Sequence, residues 1–383
     1  MKFARQAQSL NASYLREILS AASQPEMISM AGGLPAASLL PLELVRVACA
    51  SLADNSLFFQ YGSSRGYQPL LETLEQHSPQ STQPWLICNG SQQGLDLIAR
   101  ALLETGDPIV AEVPAYLGAL QAFQLTGASL LPLLSGAAGP DLDQLEHYFK
   151  TAAVKLFYAV PDFHNPTGRV WSAETRVAVA ALCRHYGVTL IEDSPYRQLR
   201  FSGTELSPVS ELYPEQTISL ISFSKTGFPG LRVGAMSGPA EFIALAERIK
   251  QATDLHTGIP QQVIIHRLLN HQQYPDHLAR LQQGYRNRYH HLSSELQQQL
   301  GQQIEFDPVE GGMFIWLSLN GKSGTEIAAR ALSHKLAVVP GAAFYAKGAT
   351  AEDSHIRLNF SNTDTALVRE AVARLARAIG AGC

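Results

Sequence analysis

A chain of 383 residues, 46% hydrophobic and 16% charged, is long enough for two domains with ample core. Its formal charge of −4 and pI near 6.3 exclude the basic excess of a general nucleic-acid-binding surface. Four cysteines (Cys49, Cys88, Cys183 and Cys383) lie far apart with no CxxC pair, so neither a disulfide framework nor a zinc site is expected. No apolar run reaches membrane-spanning length, and the opening segment lacks the apolar core of a signal peptide. The expectation is a cytoplasmic protein with no membrane or nucleic-acid partner and no metal.

Between about residues 85 and 240, strand-like and helix-like segments alternate. "WLICN" leads into a helical "SQQGLDLIARALLETG", and "PIVAEV" into "AYLGALQAFQLTG". "SLLPLL" precedes "DLDQLEHYFKT", "VKLFYAV" precedes "SAETRVAVAALCRHYG", and "VTLIEDS" leads through a loop to "TISLISFS" and "VGAM". Short, continuously apolar strands bounded by turn residues predict a sheet covered on both faces. Their alternation with helices predicts an α/β fold with a mainly parallel sheet, whose ligands bind at the carboxyl ends of the strands. After residue 240 three helical stretches are followed by "GGMFIWLSL", a helix, the short strand "AVVP", "HIRLNF" and a last helix, which predicts a smaller α+β domain. Trp85 and Trp316 read as core, and "RNRYHH" as a solvated helix face.

Four strand-end loops carry chemistry. In "CNGSQQG", Gly90, Ser91 and Gln92 open a helix and offer backbone N–H groups to an anion, although taken alone an ordinary capping serine is the better explanation. "VPDFHNPTG" contains the turn Asn165-Pro166-Thr167-Gly168. In "IEDSPY", Asp193 ends an apolar strand and needs a cationic or donor partner. In "SFSKTGFPGLR", Ser222, Ser224 and Arg232 flank Lys225 and could neutralise a phosphate, leaving a spare amine. A lysine amine of lowered pKa condenses with carbonyl groups. One ligand uses all four loops: pyridoxal phosphate, with its phosphate, its aldehyde and a pyridine nitrogen that needs a carboxylate.

The sequence resembles the fold-type I pyridoxal-phosphate aminotransferases of class I/II, nearest to the branch of 2-aminoadipate, kynurenine and aromatic aminotransferases. The matching segments run in the expected order over nearly the whole chain: "ISMAGGLPAASLLP", "YGSSRGYQPL", "GSQQGLDL", "VPAYLGAL", "PDFHNPTG", "EDSPYRQLRF", "SFSKTGFPGLRVG", "EGGMFIWL" and "IRLNFS". The resemblance implies a large domain with a seven-stranded sheet at 45–280, an N-terminal arm at 1–44 belonging to the small domain, and a small α+β domain at 281–383. It implies that Lys225 is the Schiff-base lysine and that Asp193 partners the pyridine nitrogen. Asn165 and Tyr196 would bond the phenolic oxygen. Ser91, Gln92, Ser222, Ser224 and Arg232 would hold the phosphate, Tyr116 would stack on the ring, and Arg357 would clamp the substrate α-carboxylate. Gly33 would let the backbone approach the substrate. A homodimer with shared sites is implied, Tyr61 reaching the partner's phosphate.

The implied reaction moves an amino group between an L-amino acid and a 2-oxo acid, with 2-oxoglutarate the expected acceptor. Arg16, on the arm, is the candidate for its distal carboxylate, against pairing with Glu17 or Glu26 or plain solvation. Ala235 and Glu310 depart from the bulkier residue and the proline common in relatives, and bear on the substrate pocket. The same scaffold serves C–S lyases, racemases and decarboxylases, and Arg357 counts against the last. An effector-sensing domain of a transcription regulator is the reading from another class. It would need an N-terminal winged helix, and only about 30 residues precede "AGGLP".

Overall fold

The computed structural model describes residues 1–3, 26–78, 82–345 and 353–380. Seven segments pair into one sheet: β1 (Trp85–Cys88), β2 (Pro108–Glu112), β3 (Ser129–Leu133), β4 (Leu156–Ala159), β5 (Thr189–Asp193), β6 (Thr217–Ser222) and β7 (Gly234–Ser237). Their spatial order is β1-β7-β6-β5-β4-β2-β3. Only β7 runs antiparallel to its neighbours. The expected mainly parallel sheet is therefore present. β1 and β4 are buried at every position, the consequence of helices on both faces. β3 carries Pro132, which a central strand would not tolerate, and it lies at the sheet edge with β2 as its one neighbour. In the helix Ser91–Leu102 the residues Leu95, Ile98 and Ala99, three and four apart, form the buried face.

The C-terminal half forms a separate three-stranded sheet with His355–Asn359 in the centre, antiparallel to Phe314–Ser318 and Val339–Pro340. "AVVP" is not one strand. Leu336–Ala337 pairs with Ile28–Ser29, whereas Val339–Pro340 pairs with His355–Asn359, so the chain changes sheets at Val338. Helix Tyr274–Leu300 is continuous, and the boundary expected at residue 280 falls inside it. His290 and His291 are exposed on that helix while Tyr289 is buried, as a solvated face requires. Among the described residues no helix is long and apolar enough to cross a membrane, and no group of three His, Cys, Asp or Glu could hold a metal ion.

Candidate active site

The carboxyl ends of β4, β5 and β6 and the start of helix Ser91–Leu102 surround a cavity of about 300 Å³, closed on its other side by Gly33, Phe314 and Arg357. Twelve of the fourteen expected site residues line it. The two exceptions are Tyr61, 79% exposed on the surface, and Arg16, which lies outside the described residues. Residues far apart in sequence are thus gathered by the large sheet together with the small sheet and the loop at Gly33.

Lys225 follows β6 and donates from Nζ to the Gly33 carbonyl at 2.8 Å. Burial, followed by the positive charges of Arg357 and Arg232, lowers its pKa from 10.5 to about 8. Asp193, at the end of β5, is 2% exposed. Burial raises its pKa to about 7 against the opposing effects of the Tyr158 hydroxyl, which donates to Oδ2 at 2.9 Å, and of Lys225. Its other oxygen, Oδ1, is buried with no hydrogen-bond partner. An orphaned carboxylate oxygen facing a cavity is costly unless a ligand donor satisfies it.

Arg357 is buried in the central strand of the small sheet. Nη1 donates to Asn165 Oδ1 at 2.7 Å and Nη2 to the Ala31 carbonyl, while Nε has no partner. The Phe314 and Phe344 rings lie 4.2 and 4.8 Å from its guanidinium carbon. Desolvation brings its pKa down to about 10, so it stays charged at neutral pH. Asn165 Nδ2 in turn reaches the Tyr196 hydroxyl at 3.5 Å. That hydroxyl is itself held protonated by burial.

Gly90 precedes the helix at φ +74°, and a Cβ there would lie 2.6 Å from Arg232 Nη2. Arg232 adopts the left-handed region at φ +54°, which few non-glycine residues do, and so turns its guanidinium back over the helix start. Ser222 and Ser224 complete this end. The Gln92 side chain is already engaged, donating to the Gly118 carbonyl at 2.8 Å and accepting from Tyr116 at 3.2 Å. These bonds fix the tyrosine, and the backbone N–H of Gln92 at the helix start is left to face an anion.

Tyr158, Phe314, Phe344 and Leu34 were not anticipated from the sequence. The fold accounts for Tyr158: it pairs with Ile191 in register, two residues before Asp193, so Tyr158 and Asp193 share a face as diagonal neighbours. Neither this register nor the aromatic flanks of Arg357 left a trace in the local sequence. Ala235 is buried with Trp85 and Phe223 beneath the sheet, and Glu310 pairs with Arg200 at 2.6 Å. Neither residue lines the cavity.

The sequence model of the family "Aminotransferase class I and II" matches residues 26–375. The chain belongs to that family. It is 34% identical to a 2-aminoadipate transaminase of Thermus thermophilus over 98% of this chain and 96% of the relative. It is 31% identical to aromatic-amino-acid aminotransferase 1 of Thermococcus litoralis, over 98% and 94%. Among solved structures it is similar to a Pyrococcus horikoshii kynurenine aminotransferase in complex with PMP, with a TM-score of 0.94 and 33% identity over 99% and 96% of the two chains. The protein is a pyridoxal-phosphate-dependent aminotransferase with the α/β architecture of fold type I. The residues present fit that cofactor. The orphaned Asp193 Oδ1, the amine of Lys225 and the Gly90–Arg232 cradle match its ring nitrogen, carbonyl and phosphate.

Proposed function

We propose that this aminotransferase uses 2-oxoglutarate as amino acceptor and divides the work among the cavity residues as follows. The observation that carries the assignment is the buried, unpartnered Oδ1 of Asp193 in the same cavity as a lysine amine of lowered pKa. When bound, pyridoxal phosphate supplies a carbonyl that takes up the amino group and a ring that draws electrons from the substrate Cα. Asp193 holds the proton on the ring nitrogen. Asn165 and Tyr196 orient the phenolic oxygen. Ser91, Ser222, Ser224, Arg232 and the backbone N–H of Gln92 bind the phosphate, and Tyr116 packs on the ring. Lys225 serves first as the cofactor's anchor and then as the base that takes the proton from the substrate Cα. Its pKa of about 8 leaves a useful fraction of free amine near neutral pH. Arg357 binds the α-carboxylate through the N–H groups its aromatic neighbours keep out of water. Gly33 permits close approach, since a Cβ there would lie 3.0 Å from the Phe314 ring.

Borohydride reduction of the holoenzyme followed by peptide mass analysis should place a phosphopyridoxyl group on Lys225. A label on any other lysine would overturn the assignment.

The cations among the described lining residues are Lys225, Arg232 and Arg357, each already assigned. A second carboxylate on the substrate therefore needs a cation from elsewhere, and Arg16 is the candidate. Arg16→Ala should lower kcat/KM for 2-oxoglutarate by about ten- to a hundredfold and largely spare an uncharged 2-oxo acid. Equal losses for both acids would assign Arg16 to closure or stability instead.

The proposal includes a homodimer in which Tyr61 acts in the neighbouring site, supported by the run of exposed apolar side chains Leu57, Phe59 and Tyr61. It includes the division into arm (1–44), large domain (45–280) and small domain (281–383), and a cytoplasmic location, which the free thiols Cys49, Cys88 and Cys183 support.

A further inference from the structure

Lys250 is fully buried, on the helix Ala240–Asp254, and takes no part in the cavity. Its Nζ donates to Asp254 Oδ1 and Oδ2 at 3.0 and 3.1 Å and to Gln93 Oε1 at 2.8 Å. The same Gln93 oxygen accepts the backbone N–H of Asn89 at 2.8 Å. Asp254 Oδ2 accepts from Asn89 Nδ2 at 2.5 Å and from Gln93 Nε2 at 2.6 Å. Asn89 is thereby gripped at both its backbone and its side chain by one ion pair and one amide. It is the residue between β1 and Gly90, and its carbonyl accepts from Arg232 Nη2 at 3.4 Å.

A buried ion pair contributes little to stability that an apolar pair of the same volume would not. Burying a lysine here therefore calls for a reason other than packing. The residues it restrains, through Asn89 and Gln93, bracket Gly90, Ser91 and Gln92, the backbone of the phosphate cradle. Gly90 is in a conformation that L side chains rarely adopt, and the cradle faces a cation in Arg232. A loop in that state drifts unless its ends are held.

We propose that Lys250, with Asp254, is a positioning residue for the phosphate end of the cofactor: it holds Asn89 so that the N–H groups at the start of helix Ser91–Leu102 and the Arg232 guanidinium point at one spot. This rests on the reading of that end as the phosphate site. The role is confined to the phosphate. The ring is held by Asp193, Asn165, Tyr196 and Lys225, none of which contacts Lys250.

The test is equilibrium titration of the full-length, cofactor-stripped chain with two ligands, pyridoxal phosphate and pyridoxal, which lacks the phosphate. Lys250→Met should weaken pyridoxal phosphate by about tenfold or more, the effect of losing charge-assisted hydrogen bonds, and change pyridoxal by less than about threefold. The double variant Lys250→Met/Asp254→Leu removes both charges, so no unpaired carboxylate is left at position 254, and should show the same selective loss. Equal weakening of both ligands means that Lys250 only supports the fold. No weakening of either means that the cradle holds its shape unaided. Both outcomes overturn the proposal. If the unsubstituted chain binds the two ligands equally, the phosphate-site reading itself fails, which is a separate result.

Discussion

Asp193 and Lys225 show how the site carries electrostatic strain in individual side chains. Asp193 releases its proton near pH 3.8 in the unfolded chain and near pH 7 in the folded one, because burial penalises the anion. Between those values the folded chain keeps a proton the unfolded chain has lost. Stability of the cofactor-free chain therefore falls as pH rises from about 4 to about 7, and the penalty is fully present above that. Asp193→Asn removes the titration. The variant should exceed the unsubstituted chain in stability by little at pH 4 and by on the order of 2–4 kcal/mol at pH 8. Urea midpoints of the two cofactor-free chains across this range check it. A difference that stays constant with pH would show that folding leaves the pKa of Asp193 unchanged. A carboxylate kept at such a cost belongs to a site built for a ligand that repays it.

At the scale of elements, the loop "PDFHNPTG" illustrates how local sequence and distant contacts combine. Its Asn165 is useful only because the loop has one shape. Asp162, 1% exposed, lies 2.8, 3.3 and 3.6 Å from the guanidinium nitrogens of Arg176, Arg197 and Arg200. Arg176 sits on the helix Ala173–Tyr186, and Arg197 and Arg200 on the turn after β5. One carboxylate thus ties two further elements to the loop, and buried pairs of this kind are costly to break. Phe163 holds φ +55° under Gly311 and Gly312, where a Cβ would lie 2.4 and 2.6 Å from its side chain. Arg200 also stacks on Phe163 at 4.8 Å and pairs with Glu310. Glu310 is thus tied to this scaffold through Arg200 and does not line the cavity. The turn was legible from Asn165-Pro166-Thr167-Gly168, because turn chemistry is local. The arginine hub was not, because its partners are fourteen to thirty-eight residues away from Asp162 in the sequence.

At the scale of the whole molecule, Tyr61 is, among the described residues, the expected site residue that a single chain does not bring to the cavity. It rests edge-on against His256 at 6.0 Å, on the outside. If it completes the partner's site, a Lys225→Ala chain and a Tyr61→Phe chain should complement each other. In the mixed dimer both lesions fall in one site and the other is intact. Activity should then recover toward that of one normal site per dimer, above the level of either variant alone. Absence of recovery after verified chain exchange would show that Tyr61 acts within its own subunit or not at all.

The sequence by itself determined the alternation of strands and helices, because buried apolar runs and helical periodicity are properties of neighbouring residues. It also determined the chemistry available at each strand end: a lysine between two serines, a carboxylate closing β5, an arginine in "HIRLNF". Tertiary structure decided which of these meet. Lys225 and Gly33 are 192 positions apart, as are Arg357 and Asn165, yet each pair is in hydrogen-bond contact, through a strand order no local pattern encodes. Tertiary structure also decided the energetics. The pKa of Lys225 falls and that of Asp193 rises because burial removes water, and burial is a property of the folded chain as a whole.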